Sequence, residues 1–507
     1  MGIRHLVGIC AMATLLVASP TLAQKSKDTL RIASLATISK VDPYITTSVE
    51  NIANTVLDTL VVYNEHLRIY EPLLAEAYRR VNPTTLEFNL RKNVLWHDGE
   101  PFDADDVVYT INYLIDPNVK LRFKHRWEWI DHVEKIDRFT IRIVAKKPTP
   151  TDIMILAYDM PILPKHVHGP LINKVNFGEN PIGTGSYRFV SVDVNKGVVL
   201  ARNDRYYNKS ATKDMASIGK VHIFYLPEVG TRVAQLLTGG VDIIQNVNDK
   251  QADVLGADPR FTVLKAQTWA SYFLAVDARG RSGTKALLDE RVRRAFMMAM
   301  DRNAYLKLQV GNWELTQEPK SLCNELQAGC GFSVSLPAYD PKTARALLAE
   351  AGYDNLKVVV TGLSVSRTHV ELTVGYLREI GVEASANVVE SNVYRDKLGK
   401  GDIQMFVGFP LGLDRPDVSN FLNGMFAPGR FDLFGDPFIH DRLTHIEVEM
   451  NDIRRRTLVR ELIDHAVQNG YLTLLSPRMT SFVHTKEVVI HPLQSLPGYR
   501  INNIYWK

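Results

Sequence analysis

Ten short runs rich in β-branched and aromatic residues alternate with amphipathic helical stretches in an irregular order, and no repeat period, proline-rich linker or low-complexity block separates them. The strand-like runs are Thr29–Ile32, Thr85–Leu90, Phe139–Val144, Val198–Ala201, Val221–Tyr225, Phe261–Ala266, Tyr272–Val276, Val358–Thr361, Met405–Phe409 and Thr480–Val483. Helices are predicted over Ser48–Leu60 and Ala104–Ile115. Two more start at Asp289 and Asp340. In the Asp289 segment, Val292, Ala295, Phe296, Ala299 and Met300 repeat at the spacing of one buried helical face. In the Asp340 segment, an N-cap aspartate and Pro341 precede Ala344, Leu347, Leu348 and Ala351, and Gly352 ends the pattern. Such a mixture must bury strand faces against helices in several cores. With 507 residues against the usual ~150 per domain, it predicts an α/β or α+β protein of several lobes joined by short crossovers.

Composition narrows the functional classes. Apolar residues make up 45% and charged residues 23%, as in ordinary globular chains. Sixty Lys and Arg face 56 Asp and Glu, and the two signs are interspersed. The basic stripe of a nucleic-acid binder is therefore missing. The chain opens with Arg4 and His5, an apolar run from Leu6 to Ala18, and Thr21-Leu22-Ala23, the pattern of an export leader with cleavage expected after Ala23. No later segment approaches the ~18 apolar residues of a membrane helix. Export places the remaining cysteines, Cys323 and Cys330, in an oxidising compartment, where a disulfide closing a short loop is the simplest expectation.

Motifs of catalysis are scarce. Gly183-Thr184-Gly185-Ser186-Tyr187 and Gly280-Arg281-Ser282-Gly283-Thr284-Lys285 match neither a P-loop nor a dinucleotide fingerprint, and read as turns. There is no G-x-S-x-G elbow and no H-E-x-x-H. His166-Val167-His168 sits between prolines and reads as a surface turn without a third metal ligand. The adjacent Asp105 and Asp106 suit a positive helix N-terminus better than a shared proton. No metal, cofactor or enzymatic activity is expected.

Several stretches carry a resemblance. Leu74-Ala75-Glu76-Ala77-Tyr78 and Leu86 through Trp96-His97-Asp98-Gly99 to Tyr109 closely resemble the signature of the family 5 solute-binding proteins, the extracytoplasmic receptors of peptide- and nickel-type ABC importers. The resemblance continues through Asn180–Tyr187, Arg202–Tyr207, Thr231–Ile243, Asp289–Ala295 with Asp301-Arg302, and Tyr339–Tyr353. It implies an α/β clamshell of the periplasmic-binding-protein type II class, with two lobes and an additional third domain. One lobe would combine residues 27–67, 180–268 and 478–507, the extra domain would be 68–179, and the opposing lobe 269–477. It further implies a monomeric periplasmic protein that captures peptides or peptide-like solutes and passes them to an inner-membrane permease. An opine or sugar conjugate, a nickel chelate or haem are alternative solutes within the family. An exported peptide hydrolase is the alternative from another class, and a chaperone or chemosensory role is compatible with transport.

In the peptide receptors of that family, an aspartate in a segment like Asp-Tyr-Pro-Asp-Pro-x-Asn-Phe-Leu pairs with the ligand's ammonium group. Asp414-Arg415-Pro416-Asp417-Val418-Ser419-Asn420-Phe421-Leu422 aligns with it without a gap. Asp414 is thus the expected anchor. Arg415, which follows it, would either neutralise Asp414 or grip a ligand carboxylate or phosphate bidentately. Phe409 lies on a longer approach to Asp414 than the usual aromatic of the family, and Trp269 and Tyr272 sit where the chain should cross between lobes. Strand alternation places Trp269 and Phe273 on one face and Tyr272 on the other. Arg232 is expected in a surface or structural ion pair.

Overall fold

The computed structural model describes residues 28–507 except 36, 47–49, 209, 211, 248, 311–319, 354, 410–414, 430–431, 492 and 494–498. The expected leader and Asp414 therefore lie outside the described residues. A ten-stranded sheet organises the chain. Its order is Glu383–Val389, Lys357–Leu363, Met405–Gly408, Phe261–Val276, Leu472–Thr485, Ile243–Gln245, Thr29–Ser34, Lys220–Tyr225, Gly197–Arg202 and Tyr187–Asp193.

Two strands at its centre are far longer than the rest. Phe261–Val276 has 16 residues and Leu472–Thr485 has 14, and they pair antiparallel along their lengths. One end of the pair lies beside Ile243–Gln245, through His484, Val483 and Phe482. The other end lies beside Met405–Gly408, through Phe273 to Val276. Between them the register shifts, once between Gln267 and Ser271 and again between Tyr272 and Phe273, opposite the Ser476-Pro477 stretch. Proline brings no N–H to a ladder, so this is where the sheet is weakest. The two strands expected at Phe261–Ala266 and Tyr272–Val276 are thus one strand with an irregularity inside it.

Each half of the sheet has its own apolar cores. Leu30, Ile32, Val198, Leu200, Val221, Ile223, Ile243 and Phe482 pack in one half. Tyr272, Leu274, Val276, Val292, Phe296, Val360 and Met405 pack in the other, where a further cluster gathers Phe273, Val418, Phe421, Leu422 and Leu462. A separate four-stranded antiparallel sheet, Ala75–Asn82, Thr85–Leu90, Thr140–Ala145 and Ile130–Asp137, carries a further core, which also takes in Tyr44, Leu57, Leu60 and Val61. Helix Ala104–Ile115 packs on it, started by a capping box in which Asp103 accepts from the Asp105 amide and Asp106 from the Asp103 amide. Asp106 is buried and also accepts from Trp96 Nε1 at 3.2 Å. The paired carboxylates therefore build the helix start.

The resembling motif is mostly scaffold. His97 Nε2 donates to the Gly185 carbonyl at 3.0 Å, and its Nδ1 accepts from the Gly183 amide at 3.2 Å, tying the four-stranded unit to the glycine turn. Both glycines lie against the backbone of Val56, where a Cβ would collide with its carbonyl. Gly185 N donates to Val56 O at 2.9 Å. That contact ends the first helix, which covers Glu50–Val56 rather than the longer span predicted.

Three local expectations are corrected. His166-Val167-His168 is helical, with His168 buried against Tyr109, Tyr113 and Phe177 and only His166 facing Asp98. Arg232 is buried, and its guanidinium donates to the Leu226 and Pro227 carbonyls, so it closes a helix start instead of an ion pair. The strand ending at Phe409 stops at Gly408.

Candidate functional site

Helix Asp152–Tyr158 ends at Asp159, whose amide caps the Ile155 carbonyl and whose carboxylate is only 6% exposed. Arg126, on the single turn Lys124–Trp127 of the same unit, donates to Asp159 Oδ1 at 2.7 Å. Arg415 reaches the same oxygen at 2.7 Å from the cluster of Val418 and Phe421. Each guanidinium also rests on an aromatic ring: Arg126 lies 4.2 Å from the Phe123 centroid, and Arg415 lies 5.2 Å from that of Tyr158. Asp159, Arg126 and Tyr158 line a pocket of about 30 Å³ with Pro43, Tyr44, Thr46 and Asn54. That space admits a water or two and no dipeptide. The Tyr158 hydroxyl is buried there, has no hydrogen-bond partner among the described residues, and is kept protonated by burial, so it is a donor for whatever enters.

The segment that presents Arg415 is held from behind. Asp417 is buried in a bidentate pair with Arg455, at 2.9 and 2.7 Å, and also accepts from the Ser419 amide at 2.8 Å, starting helix Ser419–Phe426. Cys323 and Cys330 are joined in a disulfide. The loop they close pairs with the same segment: Ala328 N donates to Pro416 O at 2.8 Å, Val418 N to Ala328 O at 3.0 Å, and Gln327 Nε2 to Arg415 O at 2.8 Å. Asn324 Nδ2 extends to Thr268 O at 3.4 Å, at the register shift of the long strand. Trp269 is buried beside that point.

Tyr272 and Phe409 meet elsewhere. Their rings stand edge to face at 5.3 Å, and Arg478 lies 4.4 Å over Phe409 and hydrogen-bonds Tyr272. Tyr272 stacks on His369 at 3.9 Å. His369 Nε2 meets Ser476 Oγ at 3.1 Å, and burial pushes the imidazole down to about 4, so it is neutral at pH 7. Tyr272 and Phe409 therefore lie in an apolar core of one half of the large sheet, and Arg415 meets the pocket only through Asp159 and Tyr158, which line it. Asp159, Arg126 and Tyr158 were not singled out from the sequence. They carry no local motif, and Asp159 meets Arg415 across 256 positions.

Residues 70–432 match the model of the bacterial extracellular solute-binding proteins, family 5. Among curated relatives, haem-binding protein A of Haemophilus influenzae is 25% identical, over 74% of this chain and 72% of that protein. Di/tripeptide-binding protein 2 of Pseudomonas aeruginosa is 26% identical over 69% of each. For Brucella relatives at 25% identity, the chain spans 56% of their length. Among solved structures, the periplasmic binding protein DppA of Helicobacter pylori, in complex with the peptide STSA, superposes with a TM-score of 0.77 at 22% identity, covering 94% of this chain and 98% of that one. NikA of Brucella suis, in complex with Fe(III)-EDTA, gives 0.83 at 18%, covering 94% and 100%. The fold is the one these proteins share, two lobes with a third domain.

Proposed function

Because the chain belongs to the bacterial extracellular solute-binding proteins of family 5, we propose that it is the solute-binding component of an ABC importer. It captures peptides or peptide-like solutes between two lobes and delivers them unaltered to an inner-membrane permease. The observation that carries the reading is the pair of long strands crossing from one half of the large sheet to the other with a register shift midway. Such a pair is a hinge, and rotation about it opens and closes the crevice that holds Asp159 and Arg415. The peptide assignment is supported by the relatives named for di- and tripeptides and by the STSA complex.

The lobes are assigned as residues 27–67, 180–268 and 478–507 on one side and 269–477 on the other, with 68–179 as the extra domain. Each assigned unit contains at least one apolar core. The protein works in the periplasm as a monomer, after removal of a leader behind Ala23. Asp414 anchors the solute's ammonium group, and the Tyr158 hydroxyl supplies a further hydrogen bond in the pocket. Contacts with both lobes stabilise the closed form, and the difference in affinity between open and closed forms drives closure. No step alters the solute. Titrating the purified protein with short peptides in a calorimeter tests the reading: saturable binding that needs a free amino terminus supports it, and heats indistinguishable from buffer for a broad peptide set overturn it.

A further inference from the structure

Arg415 and Asp159 join two units with separate cores. Asp159 follows Ala157 and precedes Met160 in the core of the four-stranded unit. Arg415 precedes Val418 in a core of the opposing half of the large sheet. Their contact is a built one. The Asp159 carboxylate is 6% exposed and the Arg415 side chain 15%, the N–O distance is 2.7 Å, and the guanidinium is seated on the Tyr158 ring of the partner unit. On its own side, the Arg415 backbone is fixed by Gln327 from the disulfide-closed loop. Arg126 holds Asp159 from within the four-stranded unit, so the carboxylate is already oriented when Arg415 arrives. A second ion pair, Lys147–Glu447 at 3.0 Å, joins the same two units at their exposed rim.

We propose that Arg415 and Asp159 form a latch that holds the two sides of the crevice together before any solute is bound. An exposed ion pair does little of this kind. A pair in which both partners are mostly shielded, one stacked on a ring and both pre-oriented, contributes more and is screened less by salt. The latch pre-forms part of the closed population. It thereby raises apparent solute affinity, since affinity scales with the fraction of molecules already competent. It also sets an upper limit on release, because opening must break the latch as well as the solute's own contacts. This inference rests on the hinge in the proposed function but not on which solute is carried.

Small-angle scattering of the full-length mature protein without solute tests it. Arg415→Gln replaces the guanidinium by a shorter, uncharged amide and is expected to raise the radius of gyration, on the order of 1 Å for a hinge opening. Asp159→Asn should do the same, and the double variant should go no further than either single one. Arg79→Gln removes an ion pair to Glu87 that lies wholly inside the four-stranded unit and away from Asp159, and is expected to leave the radius unchanged. Circular dichroism of each variant confirms that it is folded. An unchanged radius in folded Arg415→Gln, or equal expansion in Arg79→Gln, overturns the latch. Because no solute is present, that result stands apart from any failure of the peptide titration.

Discussion

The side chain of Gln327 donates to the carbonyl of Arg415 at 2.8 Å, so the loop closed by Cys323 and Cys330 props the backbone of the segment that carries Arg415 to Asp159. Bridging a loop of this size contributes about 2–3 kcal/mol by limiting the unfolded chain. Replacing both cysteines by serine is expected to lower the melting temperature by about 5 °C or more. The same variant should weaken solute binding, because the Ala328–Pro416 and Gln327–Arg415 hydrogen bonds lose their rigid base. Calorimetric melting with and without dithiothreitol checks the first part. A wild-type melting temperature indifferent to reductant contradicts it.

Asp58 is fully buried, and its carboxylate gathers Lys213 with the hydroxyls of Thr184, Tyr206 and Tyr207. Lys213 Nζ also donates to the Asn54 and Leu57 carbonyls, which helix Glu50–Val56 leaves open. Lys213→Met strands the carboxylate and should cost about 3–5 kcal/mol. Lys213→Met with Asp58→Asn should recover part of that loss, because no unpaired charge remains buried. Urea titrations of the three proteins check the order, and a single variant as stable as wild type refutes it.

His97, His168 and His369 are each pushed down to about 4, chiefly by burial. In the unfolded chain they titrate near 6.5, so on acidification the unfolded state takes up protons first. Stability should be full above about pH 6.5, fall as the pH drops from 6.5 towards 4, and level off below that as far as these groups are concerned, by roughly 3 kcal/mol for each histidine. His97→Gln should flatten part of this slope. Melting temperatures measured between pH 4 and 7 check it, and a slope of the opposite sign contradicts it.

The strands and helices were legible because their burial is periodic. Ala104–Ile115 and Thr85–Leu90 have the ends the residue pattern predicts, and the spacing that begins at Val292 is buried throughout. Segment ends failed where a partner distant in sequence decided them. Gly185 stops the first helix at Val56, and the pairing of Leu472–Thr485 carries one strand straight through the expected gap before Tyr272. The cluster around Asp159 was only half legible. Arg415 stood out beside Asp414, whereas Asp159 and Arg126 become a pair for it only once the four-stranded unit is folded against the opposing half of the sheet.

Asp414→Ala should abolish peptide binding and leave the melting temperature nearly unchanged. An ammonium held in a closed crevice loses its counter-charge, while the helix start at Ser419 is held by Asp417. Calorimetric titration beside thermal melting separates the two effects. Retained peptide affinity in this variant removes Asp414 from the anchor role.

The most direct test of reversible capture is equilibrium dialysis of the mature protein against a defined peptide mixture, with mass spectrometry of what is retained after release by mild denaturation. A small set of peptides should be enriched with the protein and recovered at unchanged mass. No enrichment of any peptide, or the appearance of cleavage products that grow with protein concentration, would contradict the account.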